Sequence, residues 1–187
     1  MNTQALDGGF TQPEIQAAYA FRGIMDAFAR PGTIQQLDGA NPPAPLSVAS
    51  GACLLTLCDT ETPVYLSPSY DQVAVREWIA FHTGAPIVER GVCSFAVGRW
   101  DELQPLGDYA VGTAEYPDRS ATLIVELDTL EPRGATLAGP GIRDTAQLSL
   151  PDVAAAQANH RLYPLGLDIA FTCEDRIAAL PRSVEVR

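Results

Sequence analysis

Residues 121–127 read ATLIVEL, a short apolar run rich in β-branched positions, and the spacing predicts a strand buried in a sheet. Working outward, Val92–Gly98 (VCSFAVG) alternates and predicts another strand. Further upstream, Ala52–Cys58 (ACLLTLC) is bounded by Gly51 and Asp59 and reads as a buried strand. Pro63–Ser67 (PVYLS) reads as a second, and the Asp59–Thr62 connection between them has hairpin length. Downstream, Gly134–Leu137 is a further candidate running into the turn Gly139-Pro140-Gly141. Leu167–Thr172 and Ile177–Leu180 predict a closing hairpin around Cys173–Arg176.

Helical patterns fall between these runs. Residues 11–30 carry Ile15, Ala18, Tyr19, Arg22, Met25 and Phe28 at a spacing of three to four, which predicts an amphipathic helix. Thr11 is its expected N-cap, Pro13 and Glu14 suit the first turn, and Pro31-Gly32 ends it. Asp38–Leu46, with three prolines, reads as an exposed loop. Asp71–His82 predicts a second helix stopped by Gly84-Ala85-Pro86, and Pro151–Arg161 a third, opening at Ser149 or Leu150. Helices between groups of strands, some hairpin-linked, predict an α/β fold with a mixed central sheet flanked by helices.

The chain has 187 residues, 47% of them hydrophobic and 19% charged, which fits one globular domain spanning 1–187. Its formal net charge is −11. No basic stripe is present for nucleic acid and no polybasic tract for a membrane surface. No run is long and apolar enough to span a membrane, and Met1–Phe10 shows no export signal, so a cytoplasmic location is expected. Cys53, Cys58, Cys93 and Cys173 lie in or beside apolar runs without a C-x-x-C pair and are expected as free thiols.

All twelve basic residues are arginine. An arginine-preferring genome accounts for the bias, and the chemical consequences stand regardless. A chain without lysine forms no Schiff base with pyridoxal phosphate and has no P-loop lysine. Phosphate could be held only by Arg forks or backbone N–H groups.

Catalytic constellations are sparse. His82 and His160 sit far apart near predicted helix ends, with no metal-ligand spacing, and suit helix C-termini. No G-x-S-x-G occurs, and Cys93 and Ser94 fall inside a predicted strand, which disfavours a hydrolase triad. Asp101-Glu102, and Glu115 near Asp118, read as solvated turns rather than acid/base pairs. Trp78 and Trp100 suit core or interface anchors. Arg22 falls on the apolar face of the first helix, where a charge needs a partner: an intramolecular acid, a neighbouring subunit or an anion. Gly139-Pro140-Gly141 suits a tight turn with positive φ, or an N–H concavity for an anion or a partner.

Several phrases in order resemble the PhnH family of the carbon–phosphorus lyase system. They include Phe21-Arg22 with Met25–Gly32, Leu54–Leu57 with Asp59 and Thr62-Pro63-Val64, and Phe81-His82-Thr83 with Ala85-Pro86. Gly112–Pro117, Ala121–Ile124, Gly139–Ile142, Pro164–Asp168 and Ala179–Arg182 continue the match to residue 182. Each phrase is weak alone; the ordered set is specific.

The resemblance implies a three-layer α/β/α sandwich like that of pyridoxal-phosphate transferases, without the cofactor. It implies a two-fold homodimer and a core complex with the carbon–phosphorus lyase subunits G, I and J. It implies a part in displacing adenine from ATP by a phosphonate, giving a ribose 1-phosphonate 5-triphosphate. No catalytic residue, metal or cofactor is expected on this chain, whose role is structural. The alternative is a contribution to a shared site binding ATP or phosphonate. Candidate phosphate or interface contacts are Arg22, Arg30 and Arg143, the turn glycines Gly139 and Gly141, and Asp168 with Arg182.

Overall fold

In the computed structural model, which describes residues 7–187, the run at 121–127 lies inside a six-stranded mixed sheet. The helices are α1 (Pro13–Ala29), α2 (Val48–Leu57), α3 (Val73–His82) and α4 (Val153–His160). The strands are β1 (Gln35–Gln36), β2 (Val64–Leu66), β3 (Phe95–Arg99), β4 (Thr122–Glu126), β5 (Ala135–Ala138), β6 (Ala146–Leu148), β7 (Asp168–Cys173), β8 (Arg176–Leu180) and β9 (Glu185–Val186). The large sheet runs β1-β8-β7-β4-β3-β2, and a small antiparallel sheet runs β6-β5-β9.

β2, β3, β4 and β7 are parallel; β8 runs antiparallel beside β7, and β1 pairs antiparallel with β8 to form that edge. Register puts Leu66, Val97, Ile124, Ala170 and Ala179 in one row across the sheet. That row packs against Ile24 of α1, Ala52 and Cys53 of α2, and Trp78 and Ile79 of α3. One residue along, Ala96, Leu123, Ile169 and Leu180 face the other way, against Ala156 of α4 and Leu137 and Leu148 of the small sheet. β4 is therefore buried on both faces, which explains its unbroken apolar run. Fully burying Leu123, Ile124 and Val125 contributes about 1.5–3 kcal/mol each.

Ala52–Cys58 is not a strand. Ala52–Leu57 lies in α2, which Cys58 closes and Ser47 caps by accepting from the Ser50 N–H at 3.1 Å. Every residue from Ala49 to Leu54 is buried, so no polar face marks a helical period, and an apolar run this short does not separate helix from strand. Asp59–Thr62 is consequently a helix-to-strand connection and not a hairpin turn.

Smaller differences have local causes. Gln12, not Thr11, precedes α1, and Gln16 reaches back to accept from the Gln12 N–H at 2.7 Å and the Thr11 hydroxyl at 3.2 Å. α4 is capped by Asp152, whose Oδ1 accepts from the Ala155 N–H at 2.9 Å. β3 begins at Phe95, so Cys93 and Ser94 precede it. The short strands β1, β6 and β9 carry too little pattern to be read from sequence. The closing hairpin, β2, α3 and β5 lie where the sequence predicts them. The reading of Met1–Phe10 falls largely outside the described residues. Among the described residues no helix is long and apolar enough to cross a membrane.

Candidate functional site

α1 positions the first two candidate arginines. Its buried line is Ala20, Ile24 and Ala27, and of the residues the spacing marks, Phe28 packs against the core while the others face away. Ile15, Tyr19 and Met25 are instead 53%, 68% and 49% exposed, with Phe21 beside them at 49%. Arg22 lies in this outward stripe and has no ion partner among the described residues, so the expected intramolecular pair is not formed. Arg30 caps α1 and stands 3.8 Å from Asp26, both side chains well exposed. An exposed pair at that distance adds little stability.

The glycine turn packs against the same end of α1. Gly139 and Gly141 both hold positive φ, 137° and 80°. A Cβ on Gly141 would stand 1.9 Å from the Ala29 carbonyl oxygen and 3.2 Å from Pro31 Cδ. One on Gly139 would lie 3.2 Å from the Ser183 oxygen. The turn is thus a close backbone contact within the chain, beside Arg30. Arg143 follows two residues later and is exposed.

Asp168 and Arg182 meet each other at the start of β7. Arg182 donates to Asp168 from Nε at 3.2 Å and from a terminal nitrogen at 2.6 Å. It also donates to the Pro117 carbonyl at 2.8 Å and to the Ser120 hydroxyl, and its own N–H donates to Asp168 at 2.9 Å. This guanidinium ties three segments together and leaves little of its fork for a phosphate.

A group that sequence reasoning missed occupies the carboxyl ends of the parallel strands. Arg99, the last residue of β3, forms a two-pronged pair with Asp128 at 3.0 and 2.7 Å. Glu126, the last of β4, is 6% exposed and accepts from the Ser47 N–H at 2.8 Å, beside the linked hydroxyls of Ser50 and Thr172. Arg99, Glu126 and Asp128, with Trp100 and Ser149, line a cleft of about 270 Å³. Clefts beyond the carboxyl ends of parallel strands are frequent ligand sites. Here Asp128 neutralises the cation and Asp101 adds negative charge, so the cleft disfavours a triphosphate. A lone acid closing an apolar strand is the signal that could have pointed to Glu126.

Asp101 and Glu102 lie in a turn as the sequence predicts, with Asp101 exposed, but the Glu102 carboxylate is held by the chain. It accepts from the hydroxyls of Ser67 at 2.5 Å and Ser69 at 2.7 Å. Burial alone would raise its carboxyl, but those hydrogen bonds and Arg99 outweigh it and hold the group below its ordinary range. Arg90 fixes the adjoining loop by donating to the Gln104 and Glu102 carbonyls at 2.7 and 3.0 Å.

Burial raises the Glu126 carboxyl above the ordinary range, against the hydrogen bonds from Ser50 and Ser47. Between its unfolded and folded pKa the native state binds more protons, so this group's contribution to stability falls as pH rises through that window. Glu126→Gln keeps an acceptor for the Ser47 N–H and removes the buried charge. The variant is expected to gain on the parent in thermal midpoint at pH 7 relative to pH 4. A difference between the two chains that is constant with pH would contradict this.

Other reactive groups are quiet. All four cysteines are free and buried, and burial pushes the Cys93 thiol up to about 11 and Cys58 up to about 12. His82 packs tilted against Trp78 with ring centroids 5.2 Å apart, and His160 Nδ1 lies 3.0 Å from the Arg182 carbonyl. Both close their helices but bond to other segments. Trp78 is fully buried in the core. Among the described residues no three His, Cys, Asp or Glu side chains converge on a point that could hold a metal ion.

Comparison with known proteins bears on the whole chain. The family described as bacterial phosphonate metabolism protein (PhnH) matches residues 8–187. A curated protein of Rhizobium meliloti (strain 1021), the alpha-D-ribose 1-methylphosphonate 5-triphosphate synthase subunit PhnH, is 42% identical over 193 residues. The alignment covers 98% of this chain and 96% of that protein.

Proposed function

The chain belongs to the PhnH family of bacterial phosphonate metabolism proteins, and on that premise we propose that it is the PhnH subunit of an α-D-ribose 1-methylphosphonate 5-triphosphate synthase. The synthase exchanges the adenine of ATP for methylphosphonate at the ribose anomeric carbon and leaves the triphosphate in place. In this reading the chain is a cytoplasmic assembly subunit that joins subunits G, I and J and brings no complete active site. Residues 1–187 act as one domain, a two-fold dimer of three-layer α/β/α subunits related in shape to pyridoxal-phosphate transferases.

One observation carries the assembly role. Apart from Phe28, the stripe of α1 that the sequence pattern marks as apolar is turned away from the chain's own core. A row of exposed Ile, Tyr and Met side chains on one helix face is a surface made to be covered. Arg22 and Arg30 stand on that helix as interface contacts, whereas Gly139, Gly141, Asp168 and Arg182 hold the subunit's own shape.

The test is reconstitution. Co-expressed with subunits G, I and J, the chain is expected to co-purify with them. The chain alone is expected to release no adenine from ATP and methylphosphonate. Sustained adenine release by the chain alone would overturn the non-catalytic role, and failure to co-purify the assembly role. Arg143 supports a second reading, a phosphate contact in a shared site, because its guanidinium is exposed and has no ion partner among the described residues. Arg143→Met separates the two: turnover lost from an intact complex favours the shared site, and unchanged turnover the assembly role.

A further inference from the structure

We infer that the outward stripe of α1 is covered by the same stripe of a second copy, the two helices running antiparallel with Arg22 of each chain against Asp26 of the other. The inference rests on the reading above that the chain assembles as a two-fold dimer, and it specifies the surface.

At 3.6 residues per turn, Ile15, Ala18, Tyr19, Arg22, Met25, Asp26 and Ala29 all lie within roughly 60° of the Arg22 direction. Ala20, Ile24 and Ala27, the buried line, lie on the opposite side. The stripe extends about 21 Å at 1.5 Å per residue. It therefore offers a continuous apolar ridge with one cation and one anion set into its middle. Within the chain these charges are weakly engaged: Asp26 stands 3.8 Å from Arg30, and its side chain is 43% exposed.

The charge order selects the occupant. A two-fold interface must be self-complementary, since each patch meets itself. An axis crossing α1 at the level of residue 24 places Arg22 and Asp26 two residues to either side, so the Arg22–Asp26 pair forms twice, once on each side of the axis. The two Met25 side chains then pack beside the axis, and Tyr19 comes level with the small Ala29 of the second copy. A parallel pairing would set Arg22 against Arg22. A partner of different sequence would need a matching acid and base at the same four-residue spacing; a second copy supplies them by symmetry.

The experiment uses two single charge reversals in the full chain, measured by sedimentation. Arg22→Glu makes the pair of positions wholly acidic, and Asp26→Arg makes it wholly basic. Each variant alone is expected to dissociate, its dimer Kd weakened roughly 100-fold by two repulsive pairs. Mixed in equal amounts they are expected to recover a dimer containing one of each. The introduced glutamate of one chain then meets the introduced arginine of the other, and the remaining Asp26 meets the remaining Arg22. Both positions are exposed, so folding is expected to be unchanged. Should either reversal fail to fold, Tyr19→Asp at the other end of the stripe gives the same dissociation readout. Single variants that stay dimeric would overturn this surface and leave the two-fold reading standing. A parent chain that is monomeric at every concentration would overturn both. Reversals that keep the dimer but release any of the subunits G, I and J would assign the stripe to that partner instead.

Discussion

Gly141→Ala is expected to lower the thermal unfolding midpoint by about 6–20 °C, the counterpart of roughly 3–5 kcal/mol in a chain of this size. Two effects add. Gly141 sits at φ 80°, where an L side chain is strained by about 1–2 kcal/mol. The new methyl would also fall 1.9 Å from the Ala29 carbonyl oxygen, a backbone atom at the end of α1 that cannot rotate aside. The turn or the helix end must therefore shift, and Arg30 shifts with it. Calorimetry of the purified variant measures the loss. An anion-binding turn without this contact would tolerate alanine better and would show the loss as weakened ligand binding at unchanged stability. A fall of less than about 2 °C, under 1 kcal/mol here, would contradict the packing role.

The character of that turn is legible in the sequence. Glycines flanking a proline demand positive φ, and both adopt it. β4 and the β7–β8 hairpin are legible too, because strands buried on both faces leave continuous apolar runs. The same rule misleads at α2, since a helix buried all round leaves the same run. On α1 the spacing marks a real stripe but not its destination. The line that meets the core contains two alanines and one isoleucine, a fainter signal than the Ile, Tyr and Met side chains facing out. Sequence pattern shows which residues want cover and not which body supplies it. Glu126 is hard to read for a different reason: its partners Ser47, Ser50 and Thr172 are joined only by the fold.

Arg182→Met is expected to destabilise the chain by about 3 kcal/mol, the lower end for breaking a substantially buried ion pair. The Arg182 side chain is 13% exposed and that of Asp168 28%, so water screens the pair only in part. Methionine replaces the stem and removes the fork. Asp168 then keeps the Arg182 N–H but loses both guanidinium contacts, while the Pro117 carbonyl and the Ser120 hydroxyl lose their donor. The 117–120 segment, which leads into β4, loses its tie to the β7 end of the sheet. Asp168→Asn on top of Arg182→Met removes the unpaired charge, so the double variant is expected to be less destabilised than the sum of the two single changes. A phosphate-binding role predicts a different pattern. Turnover of the reconstituted synthase would fall while the chain's melting point stayed within about 1 °C of the parent, a change of less than half a kcal/mol. The four donor contacts already made by this guanidinium favour the first outcome, and thermal melts of the three variants beside the parent decide between them.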